Sequence, residues 1–292
     1  MTGPLVIGHR GASGHRPEHT SLAYRLAWRS GADSVEPDVV STRDGVLVCR
    51  HDLDLASTTD VADRPEFAHR RRRMVVDGRL EHGWFVQDFD LAEVRELRAR
   101  ERWPKKRPAS ARYDGQLGVL TLEELLDLRE TESLRAGRRL GVHIELKHPD
   151  VFDRLGMPLH EPLVDLLRSR RLTSPLAPAS VMSFDAAVLK RVRRTLDLDL
   201  VQLVNGHEPV KRRRLQRVAT YATAVGLHKT HARARPIEKA FGTGLDVLVW
   251  TLRGETAADV GRLFDLGVDG VLTDFPEVAA TVRDQRLTSL AG

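Results

Sequence analysis

Two histidines in this sequence stand beside charged residues in a way that could support proton transfer. His9 precedes Arg10, and the glycines on either side of the pair leave backbone room for a ligand. The pair combines a group that titrates near neutral pH with a fixed cation, although an ordinary surface turn is the alternative. His51 precedes Asp52, whose carboxylate could orient the imidazole ring. Each histidine is therefore a candidate general acid or base.

Three carboxylates could form a metal site. Glu36 and Asp38 are two residues apart, so their side chains point to one face of a strand. Their mutual repulsion favours a hard divalent cation between them over the alternative, a solvent-facing edge strand. Glu145 and Lys147 have the same spacing. Glu145 could be a third metal ligand and Lys147 a phosphate contact; the alternative is that the two form a buried ion pair. Acid, base, metal and positive charge together are the groups that phosphoryl chemistry needs.

Eight short apolar segments must position these side chains. They are Leu5–Ile7, Ser34–Val39, Val142–Leu146, Ser180–Ser183, Leu200–Val204, Ala222–Leu227, Asp246–Trp250 and Gly270–Leu272. Many are continuous in valine, isoleucine and leucine, as in strands that are buried on both faces. Helix patterns lie between most of them, for example at residues 20–30, 186–196 and 256–266. The alternation predicts an α/β fold, a (β/α)8 TIM-type barrel of parallel strands with its site at the carboxyl ends.

One hairpin and one long insertion interrupt this alternation. Val46–His51 follows the second strand after an Asp-Gly turn signal, too closely for a parallel crossover, so we expect an extra antiparallel strand there. Residues 52–140 are predicted to be an insertion over one end of the barrel, near the mouth of the site. Within it, residues 91–102 and 121–130 are predicted helices, the second with a capping box. We expect residues 1–292 to form a single TIM-barrel domain that contains this insertion.

Composition and charge exclude several classes of protein. Hydrophobic residues make up 41% and charged residues 30%, and no apolar run approaches the roughly 20 residues of a membrane-spanning helix. No secretory signal precedes the first strand and Cys49 is the only cysteine, which predicts a cytoplasmic protein without an internal disulfide. The formal net charge is +5, with basic runs at 70–73 and 211–214. We interpret these runs as solvated faces rather than anion-binding surfaces, and we predict no nucleic-acid partner because no aromatic residues are interleaved with them.

The ordered set of motifs resembles the glycerophosphodiester phosphodiesterase family. The resembling segments are residues 9–12, 17–20, 31–39, 42–45, 51–52, 144–147, 249–251 and 267–274, which span nearly the whole chain. The insertion resembles that of the longer members. Two positions depart from the family's pattern. His19 stands where the family commonly has asparagine, at a position that caps or packs the first helix, and Pro37 between the carboxylates indicates an irregular second strand.

This resemblance implies a hydrolase that releases glycerol 3-phosphate and an alcohol from a small glycerophosphodiester. By position, the resemblance implies that His9 and His51 are the catalytic acid–base pair. It implies that one divalent ion, Ca²⁺ or Mg²⁺, is held by Glu36, Asp38 and Glu145. It also implies that Arg10 and Lys147 contact the phosphate and that Trp250 lines the glycerol pocket. The division of labour between the histidines, the alcohol headgroup, the oligomeric state and the choice between water attack and a cyclic phosphate stay open.

Two other functions remain to be weighed. A phospholipase D-like or cyclising phosphodiesterase acting on lysolipids or intact lipids would need an apolar rim for membrane docking, which Trp84, Phe85 and Phe89 could supply. A non-catalytic anion-binding protein would use the basic runs, but the complete acid–base and metal set argues against it. Phe184 could pack on a substrate, although we interpret it as a core aromatic residue.

Overall fold

A closed barrel of eight parallel strands, with helices packed against it, forms the centre of the protein; the structure, a computed structural model, describes residues 3–291. The strands are β1 (Leu5–His9), β2 (Ser34–Glu36), β3 (Asp38–Ser41), β4 (Leu47–Cys49), β5 (Arg72–Val76), β6 (Arg79–Gly83), β7 (Gly141–Leu146), β8 (Ala179–Ser183), β9 (Asp199–Val204), β10 (Ala224–His228), β11 (Asp246–Leu252) and β12 (Gly270–Thr273). The helices are α1 (Ser21–Arg29), α2 (Leu91–Glu96), α3 (Pro108–Ala111), α4 (Leu122–Ala136), α5 (Pro149–Arg154), α6 (His160–Ser169), α7 (Ala186–Thr195), α8 (Arg212–Val218), α9 (Ala234–Phe241), α10 (Ala257–Asp265) and α11 (Pro276–Ala291). The predicted TIM-type barrel is confirmed.

Pro37 divides the second barrel strand into β2 and β3. The ring closes where residues 34–35 of β2 pair with residues 141–142 of β7. Beyond Pro37, β3 continues along β7, and β4 pairs with β3 in the antiparallel direction, so β3 and β4 are bonded outside the closed ring. Proline has no N–H to donate to a neighbouring strand, which explains the break. Both the irregular second strand and the hairpin after the Asp-Gly turn were predicted correctly.

Two apolar layers hold the barrel together. The inner layer fills the barrel with Ile7, Met182, Val201, Leu203, Ala224, Leu248 and Leu272. A larger layer lies between the strands and the surrounding helices. The interior of the barrel is thus filled with apolar side chains. As in other barrels of this type, polar residues lie at the carboxyl ends of the strands.

The insertion shares the apolar core of the barrel. Phe85, Phe89 and Leu122 belong to the same buried cluster as Val39 and Val48 of the hairpin. The suggestion that the aromatic residues of the insertion form a membrane-docking rim is therefore wrong: Trp84 is 8% exposed, and Phe85 and Phe89 are 0% exposed. An insertion of this length must bury its own aromatic side chains to be ordered.

Three details of the insertion differ from the sequence predictions. Helix α2 ends at Glu96 instead of residue 102, because the chain then becomes extended and Ala99 pairs with Thr59. Helix α4 continues to Ala136, six residues beyond the predicted end, and stops at Gly137, whose φ of 61° is left-handed. The β5–β6 hairpin was not predicted, because its mostly polar residues obscure the alternation of a strand. None of the helices within residues 3–291 is long and apolar enough to cross a lipid bilayer.

The capping box at the start of α4 gives a test of this local structure. Thr121 accepts a hydrogen bond from the Glu124 N–H at 3.0 Å, and the Glu124 carboxylate accepts one from the Thr121 N–H at 2.9 Å. We expect Thr121→Ala to lower the free energy of unfolding by about 1 kcal/mol, measured by urea denaturation. Thr131→Ala, at an exposed position of the same helix, is the control and should leave stability unchanged or slightly raised. Equal effects of the two changes would contradict the assigned role of the cap.

Candidate active site

A cavity of about 690 Å³ opens at the carboxyl ends of the barrel strands. Six of the eight predicted site residues line it, namely His9, Arg10, His51, Glu145, Lys147 and Trp250. The other two, Glu36 and Asp38, are each 1% exposed and lie behind it, next to Glu145. The fold therefore brings all of the predicted residues to one place, while their roles stay predictions.

Strand register brings the three carboxylates together. Asp38 on β3 pairs with Glu145 on β7, and Glu36 on β2 pairs with His9 on β1. One ligand oxygen from each of the three carboxylates lies within 4.8 Å of the others. Oxygen ligands stand at roughly 2.0–2.6 Å from Mg²⁺ or Ca²⁺, so oxygens at this separation fit into one coordination shell.

The buried carboxyl groups differ in their affinity for protons. Burial, with the negative charges of Asp38 and Glu145, raises the pKa of Glu36 well above its usual value. Burial also raises the pKa of Glu145 to about 7, in spite of the nearby Lys147 ammonium. Burial acts in the same direction on Asp38, but the Arg10 guanidinium, followed by His51 and Lys147, holds its pKa well below the usual range. The charged forms of Glu36 and Glu145 are thus less favourable here than in water, and a bound cation would favour them.

The donor set fits a hard divalent cation. Glu36 Oε2 accepts a hydrogen bond from the Arg10 N–H at 3.0 Å, but its Oε1 is buried with no hydrogen-bond partner among the described residues. A buried carboxylate oxygen without a partner is destabilising, and a cation held by all three carboxylates would satisfy it. Oxygen-only ligands of this kind are those that Mg²⁺ and Ca²⁺ prefer.

Arg10 and Lys147 supply the positive charge of the site. Arg10 Nε lies 2.9 Å from Asp38 Oδ2, and Arg10 Nη1 donates to Glu18 Oε1 at 3.0 Å. Lys147 Nζ donates to Glu145 Oε1 at 2.8 Å and lies 3.7 Å from Asp38 Oδ1. The Glu145–Lys147 ion pair is therefore real, and it is part of the cavity wall.

Each candidate catalytic histidine is tied to a carboxylate through Nδ1. His9 Nδ1 lies 2.7 Å from Asp274 Oδ1, and His51 Nδ1 lies 2.6 Å from Asp52 Oδ1. Burial and the Arg10 charge lower the pKa of His9 to about 4. Partial burial and the charges of Arg10 and Lys147 lower the pKa of His51 to about 3. Both rings are thus neutral at pH 7, and Nδ1–H donation to the carboxylate leaves Nε2 as the proton acceptor.

The glycines beside His9 and Arg10 make room for a helix, which corrects the expectation that they admit a ligand. A Cβ on Gly8 would stand 2.7 Å from the Ala27 Cβ, and one on Gly11 would stand 2.5 Å from the Ala23 carbonyl carbon. Gly11 also has a φ of 85°, which side chains other than glycine rarely adopt. The turn that carries His9 and Arg10 is therefore packed directly on α1.

Two aromatic side chains form one wall of the cavity. The Trp250 indole N–H donates to the Gly226 carbonyl at 3.0 Å, which fixes the ring. Phe184 packs edge-on against Trp250 with ring centroids 5.3 Å apart. Phe184 lines the cavity and also packs on the inner apolar layer, so the core interpretation was incomplete.

The match to known families agrees with this geometry. Residues 9–278 match the glycerophosphoryl diester phosphodiesterase family. The chain belongs to this family. The matched span includes seven of the eight barrel strands complete and the insertion, so the predicted family is confirmed over nearly all of the chain.

Individual members of the family show how far the similarity extends. A glycerophosphodiester phosphodiesterase of Bacillus subtilis is 32% identical over 289 residues, which cover 96% of this chain and 86% of the relative. One from Arabidopsis thaliana is 40% identical over 146 residues, which cover 50% of this chain and only 37% of the relative. An Oleispira antarctica phosphodiesterase, solved in complex with the product sn-glycerol-3-phosphate, shares the fold with a TM-score of 0.73 and 22% identity, over 96% of this chain and 97% of that chain.

His19, one of the departures from the family's pattern, contacts a metal-ligand candidate. Its Nδ1 lies 2.8 Å from the Tyr24 hydroxyl of α1, so it packs on the first helix as expected, whereas Thr20 caps that helix. Its Nε2 lies 3.1 Å from Asp38 Oδ2. His19 thus orients a carboxylate of the cluster, a contact that the sequence position did not reveal.

Sequence reasoning missed several residues of the site. Asp274 follows the last barrel strand, where the rule that sites lie at strand ends could have found it. Asp77, in the turn between β5 and β6, lines the cavity and lies 3.3 Å from His148 Nδ1. Glu18 is buried against Arg10; it lies in the resembling segment 17–20, but no role was predicted for it. His148 also lines the cavity, while His143 Nδ1 bonds to the Ser34 hydroxyl at 2.7 Å.

The carboxylate cluster predicts that divalent ions stabilise the fold. A ligand present at 100 times its Kd adds about 2.7 kcal/mol to the free energy of unfolding, so Ca²⁺ or Mg²⁺ should raise Tm. Glu36→Gln keeps the acceptor for the Arg10 N–H but removes one negative charge, so this variant should lose most of the rise. The rise in Tm is measured by differential scanning fluorimetry, when Ca²⁺ or Mg²⁺ is added to chelator-treated protein. Glu130→Gln, at an exposed position of α4, is the control, and an equal rise in both variants would contradict the assigned site.

Proposed function

We propose that this protein is a metal-dependent phosphodiesterase that hydrolyses small glycerophosphodiesters to glycerol 3-phosphate and an alcohol. The observation that carries the proposal is the cavity in which two neutral histidines, each tied to a carboxylate through Nδ1, flank a buried carboxylate cluster and two cations. Membership of the family, whose members are metal-dependent, supports the same reaction. The single-domain organisation and the cytoplasmic location stay predictions.

Glu36, Asp38 and Glu145 would hold one divalent ion, Ca²⁺ or Mg²⁺. Such an ion, when bound, supplies Lewis-acid stabilisation of charge on a phosphoryl oxygen. Arg10 and Lys147 add fixed positive charge at the cavity wall, where a phosphodiester would sit. Since Arg10 is already held by Glu18 and Asp38, it is oriented before the substrate arrives.

His9 and His51 would move the protons. One accepts a proton at Nε2 from the nucleophile while the new P–O bond forms. The other donates a proton to the departing alcohol oxygen as the old P–O bond breaks. If the nucleophile is water, the product is glycerol 3-phosphate; if it is a hydroxyl of the substrate, the product is a cyclic phosphate that a water molecule opens in a second step. The anionic phosphodiester raises the pKa of the histidine that it contacts, which allows that histidine to bind the proton it donates. Either histidine could take either part.

Trp250 and Phe184 would receive the carbon skeleton. Their rings form an apolar part of a cavity that is also lined by polar groups, which include Asn205. A glycerol unit presents C–H groups on one side and hydroxyls on the other, so it fits a surface with this division. The Oleispira antarctica relative binds sn-glycerol-3-phosphate, which supports a glycerol subsite in a barrel of this shape.

Removal of one histidine tests the catalytic assignment. We expect His51→Ala to lower kcat for glycerophosphocholine by about 10²- to 10⁴-fold, because a proton-transfer group is lost. Release of choline, measured by an enzyme-coupled assay, gives the rate, and far-UV circular dichroism shows whether the fold is intact. His69→Ala, at an exposed position of the insertion, should retain full activity. Full turnover by His51→Ala, or by wild-type protein stripped of metal, would overturn the proposal.

One surface favours action on lipid aggregates as a second candidate function. Val75 of β5 and Leu80 of β6 are cross-strand neighbours, 59% and 67% exposed. Arg73 and His82 lie on the same outer face of this hairpin, whereas Met74 packs inward. The turn of the hairpin reaches the cavity through Asp77. An apolar pair with basic neighbours beside the mouth is suited to an anionic lipid surface.

This second candidate makes a distinct prediction for the hairpin. Replacement of Val75 and Leu80 together by serine should lower the rate on lysophosphatidylcholine in anionic vesicles roughly tenfold, because two apolar side chains no longer enter the lipid. The rate on soluble glycerophosphocholine should not change. Leu134→Ser, at an 85% exposed position of α4, is the control. Equal rates of the double variant and the wild type on both substrates would remove the lipid function from consideration.

A further inference from the structure

The carboxylate partners of both histidines are themselves held by arginines of the insertion. Arg107 donates to Asp274 Oδ2, while Asp274 Oδ1 bonds to His9. Arg102 Nη2 lies 2.6 Å from Asp52 Oδ2, while Asp52 Oδ1 bonds to His51. The site therefore contains two parallel chains of contacts, each running from a histidine through an aspartate to an arginine.

Arg107 is built into this position. Its side chain is 11% exposed and that of Asp274 is 1% exposed. Besides Asp274, Arg107 donates to the Ser13 carbonyl at 2.7 Å, and its guanidinium lies 4.7 Å from the centre of the Trp103 ring. The guanidinium thus has three partners, which leaves it little freedom to move away from the aspartate.

Arg102 is held in a similar way. It forms a two-pronged ion pair with Glu18, from Nε to Oε2 at 2.8 Å and from Nη2 to Oε1 at 2.7 Å. Glu18 in turn accepts from Arg10, the proposed phosphate contact. Arg102 therefore contacts both Asp52, the partner of His51, and Glu18, the partner of Arg10.

One short turn carries both arginines. The N–H groups of Lys106 and Arg107 donate to the Trp103 carbonyl, each at 2.9 Å. The buried Glu101 anchors the start of the turn through its carboxylate, which accepts from the Trp103 N–H at 3.0 Å. The insertion thus reaches both histidine–aspartate pairs with a single, internally bonded segment.

A guanidinium against the far oxygen of each aspartate, as a hydrogen bond from Arg107 and as an ion-pair contact from Arg102, has a chemical consequence. A histidine keeps its Nδ1–H tautomer, with Nε2 free for catalysis, only while its partner carboxylate is ionised and correctly oriented. Burial acts to raise the pKa of Asp274, but the bond from His9 and the charge of Arg107 hold that pKa below its usual range. Likewise, His51 and Arg102 hold the pKa of the partly buried Asp52 below its usual range.

We propose that Arg102 and Arg107 are positioning residues, which hold Asp52 and Asp274 so that the insertion completes the orientation of both catalytic histidines. The inference rests on the proposed phosphodiesterase function. The simpler alternative is that the same ion pairs only fasten the insertion to the barrel. The two differ in what an arginine substitution does to kcat, because a fastening contact affects stability and not the proton-transfer step.

Steady-state kinetics of arginine variants separate these alternatives. We expect Arg107→Ala to lower kcat for glycerophosphocholine about 10- to 100-fold, with KM changed less than about threefold, as for other groups that orient a catalytic ligand. Arg107→Lys should recover part of the loss, because it restores the charge without the second donor. Arg95→Ala, which removes an exposed ion pair with Glu124 in the same insertion, is the matched control. If Arg107→Ala does not fold, Arg107→Gln, which keeps N–H donors, takes its place.

A double-mutant cycle tests whether Arg107 acts through Asp274. If it does, adding Arg107→Ala to Asp274→Asn should cost less than about twofold further in kcat, because the path is already broken. Histidine-labelled ¹⁵N NMR gives a readout independent of activity. The His9 signal, assigned by its loss in His9→Ala, should lose its Nδ1–H tautomer signature in Arg107→Ala.

The outcomes are distinct. An inactive wild type would count against the proposed function itself. An active wild type, with variants that keep kcat and the NMR signature and lose only Tm, would overturn the positioning role. Multiplicative losses in the cycle would also overturn it, since they would show that the two residues act separately.

Discussion

Glu36, Asp38 and Glu145 place three carboxyl groups in a volume from which water is largely excluded, and much of the surrounding structure offsets their repulsion. Arg10 and Lys147 lie against them, His19 contacts Asp38, and one oxygen of Glu36 is left without a partner among the described residues. Buried like charges are tolerated only when something compensates them. Three buried carboxyl groups are unfavourable as a purely structural feature, and this is the physical basis for the proposed metal dependence.

The barrel satisfies this constraint through register. Parallel strands end on one side, so side chains that are far apart in sequence meet at the same height: Asp38 beside Glu145, and His9 beside Glu36. Pro37 interrupts the second strand at the cluster, where the chain changes its pairing from the closed ring to the outer hairpin. The hairpin then returns the chain toward Asp38, and His51, which follows it, lines the same cavity as His9 although it does not lie on a strand of the closed ring.

The long insertion combines packing with a polar contact to the site. Its aromatic residues join the apolar core, which anchors it to the barrel, while Arg102 and Arg107 reach the aspartates that face the two histidines. Its outer hairpin exposes Val75 and Leu80 beside the cavity mouth. The segment that was predicted to lie near the mouth of the site thus contributes Asp77 to the cavity lining, contacts the partners of both histidines and presents a separate surface to the outside.

Local patterns in the sequence determined the barrel strands, the positions of five helices, the Asp-Gly hairpin and the chemical types at the strand ends, because these depend on neighbours within a few residues. They also placed His9, Glu36, Asp38, His51 and Glu145 at one end of the barrel, since parallel strands share a direction. They did not reveal Asp274 as the partner of His9, which is 265 residues away along the chain, or the contact of Arg107 with Asp274, 167 residues apart. They also could not show that Trp84, Phe85 and Phe89 are buried. Such contacts arise only when the ring closes and the insertion packs on it, because they depend on which surfaces meet in space and not on the order of residues in the chain.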